Sequence, residues 1–348
     1  MDFTFSPEAD DAAALAADIL GGSVSVERHQ AVEAGGDRFD AALWARLVEA
    51  GLTSLALPET AGGAELGLLE QCRVLVEAGR VVAPVPLATH VAATVLLSRV
   101  APELMGEGLH TVAVAEKLDA LPAAPAVTAS GDALTGVKVL VRGATHADAM
   151  VVTATDDAGA STYLVRTADA VVEEQRTSDG DVAGLVRFDA TPAQRVGGSE
   201  SVTVLHDLLA VATGAELLGV TEGALALTAA YARTREQFGR PIGIFQGVRH
   251  RLADGHIDVM AQRLTLWQAA WRVAEGLEAE REVATAALWA ADAAHRLAHT
   301  TVHVHGGVGI DLDGEAHRYF TTAKRLEFVV GGAARSAALI GRSLAASN

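Results

Sequence analysis

The 348-residue chain has a single cysteine, Cys72. A lone thiol excludes an intrachain disulfide and a cysteine-clustered zinc site. Aromatic residues are only 4% of the chain while hydrophobic residues are 50%, so the cores have to be built from Ala, Val and Leu. A basic surplus is missing too: 27 Lys and Arg against 44 Asp and Glu leave a net charge of −17. That argues against unaided binding to nucleic acid, which needs a basic surface. The mean hydropathy is +0.26, yet charge interrupts every long apolar stretch within roughly the 18 residues a bilayer helix needs. No membrane span is expected. The opening MDFTFSPEADD is acidic where a signal peptide is basic, and a soluble cytoplasmic protein is expected. The apolar fraction is too high for disorder, and the length admits two or three domains.

What is present falls into three zones of different period. Residues 1–108 read as helical. Ser6-Pro7-Glu8 has the form of a cap, a first-turn proline and a dipole-favoured acid. Leu15 and Ile19 follow at helical spacing, and Phe39, Leu43, Leu47 and Leu52 form a stripe broken at Gly51. Pro58-Glu59 and Gly62-Gly63 read as a loop, and a helix is expected from Leu68 to Ala78, ending at Gly79. Residues 109–198 are strand-like. Val137, Val139 and Val141 alternate with other residues, and short apolar runs are separated by Gly, Asp and Ser. This predicts a small antiparallel barrel or sandwich. No G-x-G-x-x-G occurs in that zone. Residues 199–348 return to helical spacing, with four long helices expected to pack as an antiparallel bundle. The fold class is therefore α+β multidomain, helical at both ends and β in the middle.

Two segments could carry chemistry. The first, Tyr231 to Gln246, joins two long helices by a loop holding Arg235, Gln237, Phe238 and Gln246 among glycine and proline breaks. A guanidinium is a fixed fork of donors for a pyrophosphate, and Phe238 offers a face to an aromatic base. The plain alternative is a helical hairpin with solvated arginines. The second, His303 to Ile310, ends a helix in a glycine turn that lets a ligand approach backbone N–H groups. His303 and His305 fall on different helix faces, and no third ligand cluster accompanies them, so no metal site is expected.

Together, Arg235-Glu236-Gln237-Phe238-Gly239-Arg240-Pro241 through Gln246, followed by His305-Gly306-Gly307-Val308-Gly309, resemble the acyl-CoA dehydrogenase family. The likeness extends to Trp44 through Gly63, to Glu77-Ala78-Gly79-Arg80, and to Gly136-Val137-Lys138 with Ala147-Asp148-Ala149. It implies FAD and α,β-dehydrogenation of an acyl-CoA thioester. In the family a glutamate takes the α-proton, hydride leaves to the flavin, and electrons pass to an electron-transferring flavoprotein or similar acceptor. By the family pattern Arg235, Gln237, Phe238, Gln246 and the Gly306-Gly307 turn touch the pyrophosphate and adenosine of a FAD in the neighbouring subunit. His303 stands where the family usually has glutamine.

The likeness fails where the chemistry should be. The two family positions of the glutamate base count to Val330 and Leu209, and neither can take a proton. Glu327 and Glu216 are the nearest carboxylates that could substitute. The family's Thr-Glu-Pro-Gly-x-Gly-Ser flavin loop corresponds to Val114 through Ala120, and its later Trp-x-Thr to Val137 through Val141. The flavin-cradling glycines, serine and tryptophan are absent. Some bacterial members are α2β2 assemblies in which a shorter, degenerate chain completes its partner's site, among them enzymes acting on steroid side-chain CoA thioesters. The resemblance thus implies a non-catalytic subunit that needs a partner subunit of the same family. The alternatives are a self-sufficient homo-oligomer with a displaced glutamate, and a flavin-free scaffold protein on the same fold.

Overall fold

The computed structural model describes residues 4–346. Ser6 caps the first helix, α1 (Pro7–Ser23), accepting from the Ala9 N–H at 3.1 Å, as the sequence predicts. A short α2 (Val26–Ala34) precedes α3 (Ala41–Glu49), whose cap is Asp40. α4 (Leu68–Arg80) runs past the expected end at Gly79. That glycine is not a stop signal but a packing residue. A Cβ on Gly79 would lie 2.0 Å from the Glu216 carbonyl oxygen, and a Cβ on Gly219 would lie 2.0 Å from that of Val76. The two backbones touch because neither position has a side chain. α5 (Leu87–Val100) has no amphipathic stripe to read. Eleven of its fourteen residues are buried, as befits a helix covered on all sides.

The middle of the chain forms β1 (His110–Ala113), β2 (Thr128–Ser130), β3 (Ala133–Arg142), β4 (Ala149–Asp156), β5 (Gly159–Arg166), β6 (Val171–Arg176), β7 (Val182–Pro192) and β8 (Gln194–Gly197). The sheet order is β6-β7-β3-β2-β4-β5-β8, with β1 added beside β4. Most pairings are antiparallel, as expected. β1 departs by running parallel to β4, with all four of its residues buried, the usual condition of a parallel strand.

A second departure matters more. Val137, Val139 and Val141 do not share a face. β3 carries an extra residue against β7 between Lys138 and Val141, and Leu140 there has φ 53°. This bulge reverses the alternation. Lys138 and Val141 are both buried, while Val139, Leu140 and Arg142 reach a cavity between the sheet and the helices.

The C-terminal part begins with α6 (Ser199–Thr234). By length and composition it could cross a membrane, but 83% of its apolar window is buried in the fold. A two-residue hairpin, β9 (Glu236–Gln237) and β10 (Arg240–Pro241), leads to α7 (Gln246–Ala274). α8 (Glu280–His305) and α10 (Gly332–Ala346) complete the expected four helices, and α9 (Ala316–Val329) is a further one between them. One core joins both helical parts through α1 and α3 to α8, and a second fills the sheet.

Candidate functional site

The residues singled out for an adenosine and pyrophosphate gather at one end of the bundle. Tyr231, near the end of α6, stacks on His305, the last residue of α8, with ring centroids 4.3 Å apart. This contact sets the β9–β10 hairpin beside the Gly306-Gly307 turn. Arg235, Gln237, Phe238, Gln246, His303, Gly306 and Gly307 are all exposed. Phe238 and Gly239 form the hairpin tip with φ of 55° and 76°. Positive φ at both central residues is the two-residue turn that fits strand twist, and only the second is a glycine. Phe238 is 91% exposed. A large apolar ring held in a left-handed conformation in water has no reason of stability to be there. Its edge meets Phe245 at 6.0 Å, and Arg240 lies over the Phe245 ring at 4.9 Å. A Cβ on Gly306 or Gly307 would meet nothing within 4 Å, so that turn is open to an approaching molecule. An aromatic face, guanidinium and amide donors and an open backbone fit the ADP end of a FAD that approaches from outside the chain.

The chain's own cavity is different. About 220 Å³ lies between α5, the 112–120 segment, the β3 bulge, α6 and α9. Leu209 lines it, so one expected base position does face the cavity and presents hydrocarbon. Val330 caps α9 and is buried behind the cavity, beside a small void against α6 and α8.

Neither substitute carboxylate reaches the cavity wall. Glu216 accepts from Arg142 Nη1 at 2.7 Å and Nη2 at 3.0 Å. Glu327 is buried, is salt-bridged to Lys324, and approaches His295 at 3.4 Å. Its Oε2 accepts no hydrogen bond.

Beyond Arg142 lies an ion cluster the sequence did not announce. Arg142 Nε donates to Asp181 at 2.9 Å, and its Nη2 to the Val85 carbonyl at 3.1 Å. Arg325 pairs with Asp179 at 2.6 Å and Asp181 at 2.9 Å, and Arg38 with Asp179 at 3.2 Å. Three arginines face three carboxylates. Burial opposes the charge on Arg142, but Glu216 and Asp181 outweigh it and raise its pKa. Burial likewise opposes the Asp179 charge, and Arg325 and Arg38 hold its carboxyl well below the usual range. These charges come from positions 38, 142, 179, 181, 216 and 325, with no local spacing to betray them. With the Arg142–Asp181 pair in the wall and Leu140 and Phe328 exposed at the edge, the charged groups of the cavity are committed to one another and not to a flavin. The residues here do not fit a flavin ring held by this chain alone.

A second pair closes the sheet side. The Lys138 ammonium, fully buried, donates to Glu116 at 2.7 Å, the Val114 carbonyl at 3.0 Å and Thr153 at 3.0 Å. Burial lowers its pKa to about 8, against the pull of Glu116. All three ammonium hydrogens have acceptors, so Lys138 pins the 114–116 segment and is not a free amine.

Comparison with known proteins agrees with this fold and these motifs. The acyl-CoA dehydrogenase N-terminal domain matches residues 7–104 and the C-terminal domain residues 203–345. The acyl-CoA dehydrogenase FadE27 of Mycobacterium tuberculosis is 44% identical over 99% of both chains. FadE28 of the same organism is 33% identical over 86% of this chain and 91% of its own. Among solved structures, a chain of the ChsE4-ChsE5 complex from M. tuberculosis superposes with a TM-score of 0.94 at 42% identity, covering 99% of each. A chain of the Tcur3481-Tcur3483 steroid ACAD gives 0.92 at 37%, covering 98% of each. The chain belongs to the acyl-CoA dehydrogenase family.

Proposed function

We propose that this chain is the non-catalytic subunit of a heteromeric, FAD-dependent acyl-CoA dehydrogenase. The observation that carries the reading is an asymmetry: the outward-facing hairpin is intact, while both base positions are hydrocarbon. Bound FAD would accept the hydride of an α,β-dehydrogenation. In the assembly Arg235 and Gln237 bind phosphate oxygens, Phe238 stacks on the adenine, and Gln246, His303 and the Gly306-Gly307 turn complete the donor set. The base and the flavin-ring contacts come from a partner subunit of the same family. One similar structure is described as the ChsE4-ChsE5 complex, and another, Tcur3481-Tcur3483, as a steroid ACAD. They support a bulky acyl-CoA such as a steroid side-chain thioester as substrate, with an electron-transferring flavoprotein or similar acceptor. The self-sufficient reading is disfavoured because Glu216 is held by Arg142 and Glu327 lies off the cavity.

The test is the visible spectrum and FAD content of the chain purified alone and with its partner. The expected result is colourless alone, yellow in complex, and one FAD per heterodimer. One FAD per chain when alone, with efficient oxidation of acyl-CoA, would overturn the proposal. A colourless complex would favour the flavin-free scaffold.

A further inference from the structure

The cavity that has lost its base has not closed. Its walls are mostly apolar: Ala88 from α5, Val112 and Val114, Val139 from the bulge, Leu209 from α6 and Leu326 from α9. Phe328 and Leu140 stand at its edge, 61% and 57% exposed. Leu118, in the segment lining one side, is 99% exposed with φ 71°. Exposed apolar side chains in left-handed conformations are costly and need the surroundings to hold them. Every charged side chain lining the space is already matched. Glu116 is paired with Lys138, Asp119 with Arg335 at 3.2 Å, Arg142 with Glu216 and Asp181, and Arg325 with Asp179 and Asp181. No lining cation is left over for a carboxylate or a phosphate, and no lining anion for an amine.

We infer that this cavity is a binding site for a small, neutral, apolar molecule, held without chemistry by the subunit that lacks the base. The space of about 220 Å³ admits a short hydrocarbon. A longer hydrocarbon extends past Leu140 and Phe328. The site requires neither flavin nor thioester, and so goes beyond the role proposed above.

The test is calorimetric titration of octan-1-ol into the full chain, alone and in complex with its partner, with octanoate as the charged comparison. Octan-1-ol is expected to saturate one site per copy of this chain, and octanoate to bind roughly tenfold or more weakly, because its charge has no partner. Ala88→Phe fills the cavity and abolishes binding. Phe328→Ser changes an exposed side chain, keeps the fold and weakens binding several-fold. Absence of saturation would overturn the inference. So would octanoate binding as tightly as octan-1-ol, or unchanged affinity in Phe328→Ser. FAD content is read on the same complex. If octan-1-ol fails to bind while one FAD per heterodimer is retained, this inference fails and the functional proposal stands.

Discussion

Arg142 is the residue on which the buried ion cluster turns. Removing one member of a buried ion cluster strands its partners in low dielectric, at about 3–5 kcal/mol. Arg142→Met should therefore lower the urea midpoint strongly, since Glu216 and Asp181 lose their counter-charge. Adding Glu216→Gln should recover part of the loss. In the complex, Glu216→Gln alone should leave turnover per folded assembly nearly unchanged, whereas loss of a general base costs about 10²–10⁴-fold. Burial also sets a pH dependence. It lowers the pKa of His90 to about 3, and those of His29 and His206 to about 4. Unfolded histidine takes its proton near pH 6.5. From pH 6.5 downward the unfolded chain thus binds protons that the folded chain refuses, and stability falls until the folded pKa is reached. At pH 4.5 His90 alone accounts for about 2–3 kcal/mol. Unfolding free energies measured between pH 7 and 4.5 should decline, and His90→Gln should flatten the curve. Glutamine can still accept the His110 N–H that His90 Nδ1 accepts at 3.1 Å.

At the scale of elements, two positions reverse the usual effect of glycine. In an exposed helix Gly→Ala stabilises by about 1 kcal/mol. Gly219→Ala should instead destabilise by about 1–3 kcal/mol, because the new methyl drives α4 and α6 apart. Thermal unfolding of the variant gives the sign directly. Phe238 behaves in the opposite way. Relieving a left-handed non-glycine residue is worth about 1–2 kcal/mol, so Phe238→Gly should leave the isolated chain as stable as before, or more so. The same change should loosen FAD in the complex by the roughly 1–3 kcal/mol of one stacked base. Retention of flavin on gel filtration measures that loss. A residue kept for packing would show neither half of this pattern.

For the molecule as a whole, the proposed assembly needs a contact surface. Ile257, Met260 and Leu264 form an exposed apolar row along α7, 63%, 39% and 48% exposed. On the reading proposed above, the partner subunit packs on this row. Ile257→Glu combined with Leu264→Glu should leave the circular dichroism of the chain intact and abolish co-purification with the partner. Light scattering should then report the mass of the lone chain.

Much of this protein follows from the sequence alone. The change from helical to strand period and back is local, so the three-zone architecture and the Ser6 cap are legible. The hairpin and the glycine turn are contiguous segments, which is why the family could be recognised from them. The positions expected to hold a base could be counted from the motifs, and Leu209 and Val330 stand there. The tertiary structure decided the rest. Gly79 reads as a helix stop until Gly219 comes to lie against it. Val137, Val139 and Val141 read as one face until the bulge divides them. Glu216 reads as a spare base until Arg142, 74 residues earlier, takes its carboxylate. Periodicity records interactions within one element. Ion pairs, helix crossings and cavities depend on which distant elements meet, and packing determines that.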